Sequence, residues 1–528
     1  MSGLRRRVAV IGAGPAGLAA AAAALRAGAE VTLIDAADRP GGQYHRMPYD
    51  ADDLGSAGGV HRDFDRMRRH VLGHPRCAWW PGSTVWSLER GDPTVPRPPR
   101  VHVLRGPADG GGREAHVLDP DALVLAPGAH DRVLPFPGWD LPGVFTAGAA
   151  QALAKGERLA VGDKVVVAGA GPFLLPVAAS LLHAGSHVVE VLEAGRPAAV
   201  LRGWTRRLWE LASQRAKAAE LASYTSLLAR HRVPYRMGRA VIEARGDGRV
   251  EEVVTAGLRP DWSVIPGTER TRPVDAVCVS HGFTPQLELP VAAGCALRQV
   301  SAAEVYVRVD DDQLTSVPRV YAAGEITGIA GAPAARAEGL LAGWLAAGGS
   351  PAAPESHLAR RRRDQGRAFA ARLAAAHPIG DGWPGWLRPG TVVCRCEGTT
   401  YGALCEAAGD PAGAAARPVK LRTRAGLGPC QARVCGPTVA ELLARRAAGG
   451  PGRPETGLPP ATPHHRPIAQ PIRLGELAAL TPEDAGPGAT AANGRASEAV
   501  PQREGRSAGR PDTHDPHDDE RWTPDERR

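Results

Sequence analysis

The sequence predicts an α/β protein with two dinucleotide-binding domains, one inserted in the other, and a small α+β metal-binding domain behind them. Three observations carry this. Glycine-rich turns stand between strand and helix at Gly12-Ala-Gly14-Pro-Ala-Gly17 and again at Gly169-Ala-Gly171-Pro-Phe-Leu174, and four cysteines, Cys394, Cys396, Cys430 and Cys435, repeat a metal-ligand pattern. The chain's 528 residues suffice for two to four domains with proper cores.

The first unit is read from Arg7 to Asp35. A short apolar strand to Ile11 meets the turn, an alanine-rich helix follows, and Val31 to Ile34 makes the next strand. Gly12 permits the tight turn, Gly14 lets backbone approach a pyrophosphate, and Gly17 lets helix and strand pack closely; Asp35 stands where it would accept bonds from a ribose. The basic start MSGLRRR and the apolar run behind it also have the look of a secretory signal. Glycines at nucleotide-loop spacing argue against that reading, and no stretch reaches the roughly 18 apolar residues of a membrane helix. A cytoplasmic protein with at most peripheral membrane contact is expected.

Between 51 and 115 periodicity fades; a strand pair is expected, with Trp79 and Trp80 as packing residues. Asp121 to Leu125 reads as a strand leading to Gly128. In the second unit, strand Lys164 to Ala168 precedes the turn and Glu193 ends the following strand, but Leu174 replaces the third glycine and Pro176 removes an amide near the helix start. NAD(P), another adenine nucleotide, or no ligand fits this turn. Helix over 205–231, a hairpin around Gly246-Asp247-Gly248, and a strand carrying Cys278 as a core residue complete the insert, with His281 as a turn residue.

The four cysteines read C-x-C, thirty-three residues, then C-x4-C. In a strand, Cys394 and Cys396 would share one face, and Pro437 would open the next helix. Zinc, an iron–sulfur cluster and unliganded thiols all remain open on spacing, although zinc usually takes C-x2-C knuckles. Eight cysteines in all suit a reducing compartment, with Cys77, Cys278, Cys295 and Cys405 as buried thiols. The net charge of +8 comes from sixty Arg and four Lys spread along the chain, so nucleic acid is not the expected partner, and Arg360 to Arg363 reads as a solvated helix face.

Several phrases resemble known families. Pro40-Gly-Gly42-Gln43, the Ala126-Pro-Gly128 crossover and Gly324-Glu325 resemble the FAD motifs of two-dinucleotide flavoproteins, with Pro127 where Thr is usual and Glu325 where Asp is usual. CRCE and VKLRTRAGLGPCQARVC resemble the [2Fe-2S] domain of bacterioferritin-associated ferredoxin. Together with GEITGIAG and RPIAQPIRLGELA, the whole resembles the large (alpha) subunit of heteromeric flavin amine and amino-acid dehydrogenases, of the opine oxidase, hydrogen cyanide synthase and proline or hydroxyproline dehydrogenase type.

The resemblance implies an FAD-binding domain at 1–130 and 285–348, an inserted nucleotide domain at 131–284, a helical linker at 349–390, a [2Fe-2S] domain at 391–450, a docking segment at 451–480 and a disordered tail at 481–528. It implies FAD on Gly12, Gly14, Gly17, Asp35, Gly42, Gln43, Gly128, Gly324 and Glu325, a second nucleotide on Gly169, Gly171 and Glu193, and the cluster on the four cysteines. It further implies a smaller partner chain resembling D-amino-acid oxidase that oxidises the amine, so that this chain relays electrons. A stand-alone NAD(P)H-dependent reductase and a non-catalytic scaffold are the alternatives.

Overall fold

The hydrophobic strand Arg7–Ile11 seeds a five-stranded parallel sheet, in the order Val320–Ala322, Ala122–Leu125, Arg7–Ile11, Glu30–Ile34, Cys77–Trp80. The computed structural model describes residues 5–46, 59–92, 94–108, 110–205, 215–409, 416–447 and 468–480. Helix Pro15–Arg26 covers the sheet with ten buried residues, eight of them Ala or Gly. Its small side chains let helix Gly331–Ala346 lie against it: a Cβ on Gly339 would sit 2.0 Å from the Ala16 carbonyl oxygen, and one on Gly343 2.0 Å from that of Ala20. Such backbone proximity needs glycine at both positions of helix Gly331–Ala346.

A second parallel sheet runs Tyr235–Met237, His187–Glu193, Lys164–Gly169, Ala276–Ser280, Val144–Thr146. The antiparallel pair Ala129–Asp131 and Phe283–Pro285 carries the chain out to this sheet and back. Residues 77–118 hold more structure than the expected strand pair. Helix Gly59–Leu72 precedes them, and Ser83–Glu89, Arg100–Arg105 and Glu114–Leu118 form a three-stranded sheet. Trp79 and Trp80 do pack, each against one of the two cores flanking the first sheet. The hairpin across Gly246 to Gly248 pairs Arg239–Arg245 with Glu252–Gly257 and gains a third strand, Arg270–Pro273. Helix Arg215–Arg230 lies in the expected helical stretch, residues 206–214 of it fall outside the described residues, and a further helix, Pro197–Thr205, precedes it.

The linker is the helix Pro354–Ala376 and a tight turn, Trp383–Trp386. Its arginines depart from the solvated-face expectation: Arg361 and Arg362 are exposed, but Arg363 is 4% exposed and pairs with Asp364, and Arg360 pairs with Asp312. The third domain, hairpin Val392–Cys394 with Thr399–Thr400 and helices Tyr401–Gly409, Ala416–Thr423 and Gly436–Ala447, is fixed to the insert by tryptophans. Trp262 and Trp386 stack with planes 5° apart, and Trp383, fully buried, donates from Nε1 to Glu441 Oε1 at 3.1 Å.

The tail from Thr481, with His514 and His517, and residues 451–467 of the expected docking segment lie outside the described residues. Among the described residues, no helix is long and apolar enough to cross a membrane.

Candidate functional site

The first glycine loop divides by what each glycine answers to. A Cβ on Gly12, at φ +99°, would stand 2.2 Å from the Ala126 carbonyl oxygen, and one on Gly17 would stand 1.7 Å from that of Gly12. These two glycines serve the chain's own packing. Gly14 does not: at φ −73° its added Cβ would meet only Gly42 Cα, at 3.9 Å. Its bare backbone caps helix Pro15–Arg26, whose amide end faces the cavity, which suits a pyrophosphate. Asp35 accepts from the Ala13 amide at 2.5 Å and the Ala37 amide at 2.8 Å. It therefore shapes the loop, with lone pairs left for a ribose hydroxyl; burial pushes its pKa up.

Gly42, Gln43, Gly128, Gly324 and Glu325 line the same cavity, which measures about 3850 Å³. Gln43 is exposed and accepts from Arg46. Glu325 spends Oε1 on the Gly331 amide at 2.9 Å, capping helix Gly331–Ala346, while Oε2 is buried without a partner. Burial, with Glu338 adding to it, pushes the carboxyl up to about 7. An orphaned buried oxygen on a cavity wall and an unobstructed helix end fit a polar cofactor.

The second loop is built differently. The helix begins only at Leu174, which is fully buried, after a turn that closes through Leu174 N–H to Gly171 O at 3.3 Å. Gly169 is held by packing, because its added Cβ would lie 1.7 Å from Ser280 O, whereas nothing lies within 4 Å at Gly171. Glu193 is fully buried and accepts from the Gly171 and Gly195 amides, both at 2.8 Å, with His377 Nδ1 at 3.4 Å. This carboxylate holds the loop and meets the linker.

The cysteines converge from two loops. The strand ends at Cys394 and the chain turns through Arg395 to Gly398, so Cys-Arg-Cys spans a hairpin turn and not one strand face. Cys394 and Cys435 are buried, Cys430 half-buried and Cys396 exposed. The thiols pair as Cys394 with Cys435 and Cys396 with Cys430, and the Cys435 hydrogen bond holds Cys394 down at about 5. Among the described residues no three His, Cys, Asp or Glu side chains close round a single ion. All four thiols interact with one another, a donor set that suits an iron–sulfur cluster. A Cβ on Gly428 would press to 2.3 Å from Cys396 Cβ, so glycine lets the loops meet. Arg424, Gln431 and Ala432 all hold φ between +54° and +68°, the kind of strain that clusters at ligand loops.

Cys278 is fully buried and Cys295 6% exposed, while Cys77 and Cys405 are half-buried. His281 is buried, accepts from the Leu134 amide at 3.3 Å, and is driven by burial to about 3, hence neutral. Sequence reasoning missed His130 and Arg433. His130 follows Gly128 by two residues, lines the cavity, and donates from Nε2 to the Arg433 carbonyl at 2.7 Å. Their only sequence signal was position, one beside the crossover glycine and the other inside C-x4-C.

Residues 6–339 match the pyridine nucleotide-disulphide oxidoreductase family, and residues 392–445 match the BFD-like [2Fe-2S] binding domain. The chain belongs to that oxidoreductase family and is an FAD-dependent enzyme carrying a C-terminal [2Fe-2S] domain. It is 33% identical over 503 residues to an opine oxidase subunit of Rhizobium meliloti, covering 90% of this chain and 87% of that one. It is 32% identical over 475 residues to hydrogen cyanide synthase subunit HcnB of Pseudomonas aeruginosa, covering 84% and 93%. In fold it is similar to L-proline dehydrogenase from P. horikoshii, with a TM-score of 0.61, 19% identity, and 89% and 79% of the two chains covered.

Proposed function

We propose that this chain is the electron-transfer subunit of a heteromeric amine or amino-acid dehydrogenase, acting on an opine, proline, hydroxyproline or glycine-like substrate through a partner. The observation that carries the reading is the continuity of the site. The Gly12–Gly14 loop, Gly128 and His130 line one cavity, and His130 bonds the carbonyl of Arg433, between Cys430 and Cys435, at 2.7 Å. When bound, FAD takes electrons in pairs and a [2Fe-2S] cluster carries one at a time, so together they convert between the two currencies.

The chain's own residues supply the holding. Gly14 and the amide end of helix Pro15–Arg26 receive the pyrophosphate, Asp35 the ribose, and Glu325 Oε2 the polar part of the cofactor near Gly324. Cys394, Cys396, Cys430 and Cys435 ligate the cluster. The relatives' names as subunits support a partner chain, which we take to be a smaller flavoprotein resembling D-amino-acid oxidase. Among the described residues no cysteine is joined in a disulfide, which suits a cytoplasmic location.

The second glycine loop keeps the NAD(P)H-dependent reductase in view, but Glu193 is fully buried and is not among the residues that line the cavity, which disfavours ribose recognition there. The test is anaerobic addition of proline, hydroxyproline, opines, glycine and sarcosine to the complex purified with its native partner. One of these is expected to bleach flavin absorbance and produce the EPR signal of a reduced cluster. Bleaching of the isolated chain by NADH, with no response of the complex to any amine, would overturn the proposal.

A further inference from the structure

We infer that residues 468–478 form a strap that holds the four-cysteine loop against the flavin domain, with Arg433 as the positioning residue at its centre. This rests on the relay reading above, since a fixed distance between the two cofactor sites matters only if electrons pass between them.

The strap is built at both ends. At its start, the Ala469 amide donates to the Trp86 carbonyl at 2.7 Å, Ile468 bridges Ser87, and Ala469 is 6% exposed within the core beside the first sheet. At its end, Glu476 takes both Nε and Nη2 of Arg113 at 2.6 Å, a bidentate pair in which the arginine side chain is 5% exposed. Apolar burial does not hold the short helix Leu474–Ala478, because Leu474 is 84% exposed. The grip comes from backbone pairing and this ion pair.

Arg433 joins the strap to the cysteines. It lies inside C-x4-C, and its guanidinium meets Glu288 at 2.7 Å, the Ala469 carbonyl at 3.1 Å and Gln470 Oε1 at 2.9 Å. Its own carbonyl takes the His130 bond at 2.7 Å. One residue between two cluster-loop cysteines therefore touches the strap, the return helix Glu288–Ala293 and the crossover strand. A planar fork with several donors can do this, and an ammonium cannot. The loop it pins holds Gln431 and Ala432 at positive φ, a conformation that needs such outside support.

The test uses the full chain loaded with FAD and cluster, in the forms Arg433→Lys, Gln470→Ala and Glu476→Ala. Two quantities are read: hydrogen–deuterium exchange over 426–436, and the rate at which electrons equilibrate between flavin and cluster after rapid photoreduction. All three variants are expected to keep flavin and iron content, to lose protection over 426–436, and to equilibrate on the order of tenfold more slowly, as small misplacements of reacting centres do. Combining Arg433→Lys with Glu476→Ala is expected to add little beyond the larger single effect, since both cut one chain of contacts. Unchanged protection over 426–436 in Gln470→Ala and Glu476→Ala would overturn the inference. Absence of any equilibration in the unaltered protein would overturn the relay reading instead, and the exchange data would still decide whether the strap holds the loop.

Discussion

Replacing Gly14 and Gly17 separately with alanine should split cofactor binding from folding. At Gly17 the new Cβ would lie 1.7 Å from the Gly12 carbonyl oxygen, well inside contact, and that oxygen is rigid backbone in a turn. Helix and strand must separate, and overpacking of this kind costs about 1–3 kcal/mol or more. At Gly14 the nearest atom is 3.9 Å away and φ is −73°, which alanine adopts freely. The loss there is the weaker helix N-cap, about 0.5–1 kcal/mol. The space the methyl enters is the space assigned to the pyrophosphate. If the ligand meets a clash of the same kind, about 1–3 kcal/mol, affinity for FAD falls roughly 5- to 150-fold. Urea denaturation of the apoprotein and flavin titration of the refolded chain measure the two effects independently. Gly14→Ala protein that binds FAD with unaltered affinity would refute the assignment of this loop, and a harmless Gly17→Ala would refute the packing argument.

Other outcomes follow from the same structure. Cys430→Ser should abolish the reduced-cluster EPR signal while leaving bound FAD in place; zinc in the unaltered protein at stoichiometric amount would sink the cluster assignment. Trp383→Ala should destabilise by about 3–5 kcal/mol, because removing a fully buried indole leaves a cavity and takes one hydrogen bond from Glu441 Oε1, which keeps those from Arg445; chemical denaturation reads this directly. Glu325→Gln should change the pH dependence of apoprotein stability. The carboxyl is raised from 4.5 to about 7 in the fold, so its contribution is full below about 4.5 and is lost as pH rises through about 7. The variant should flatten that decline and be the more stable form at pH 8, by at most about 3 kcal/mol; identical pH profiles for the two proteins would show that Glu325 does not titrate in this window.

Much of the architecture was readable because the motifs are local. A strand, a glycine turn and a helix follow within twenty residues, and Gly12, Gly17 and Gly169 are demanded by contacts between neighbouring elements. The Cys-Arg-Cys expectation departed from the structure for a comparable local reason: alternation assumes a continuing strand, and Gly398 at φ +62° closes a turn that begins directly after Cys394. The run Arg360 to Arg363 looked solvated because its partners, Asp311 and Asp312, lie some fifty residues away. Glu193 was legible as the acid ending a strand, but its saturation by amides and its approach to His377 depend on where the linker helix ends.

The sequence by itself determined the two nucleotide units, their order and the four-cysteine pattern, since each is written in spacing, backbone freedom and side-chain chemistry over short stretches. Only the tertiary structure decided which glycine faces empty space, how the thiols pair, and that Arg433 binds a strap thirty-six residues further along. Those are contacts between segments distant in sequence, fixed by close packing and by the geometry of buried polar groups, and no local pattern encodes them.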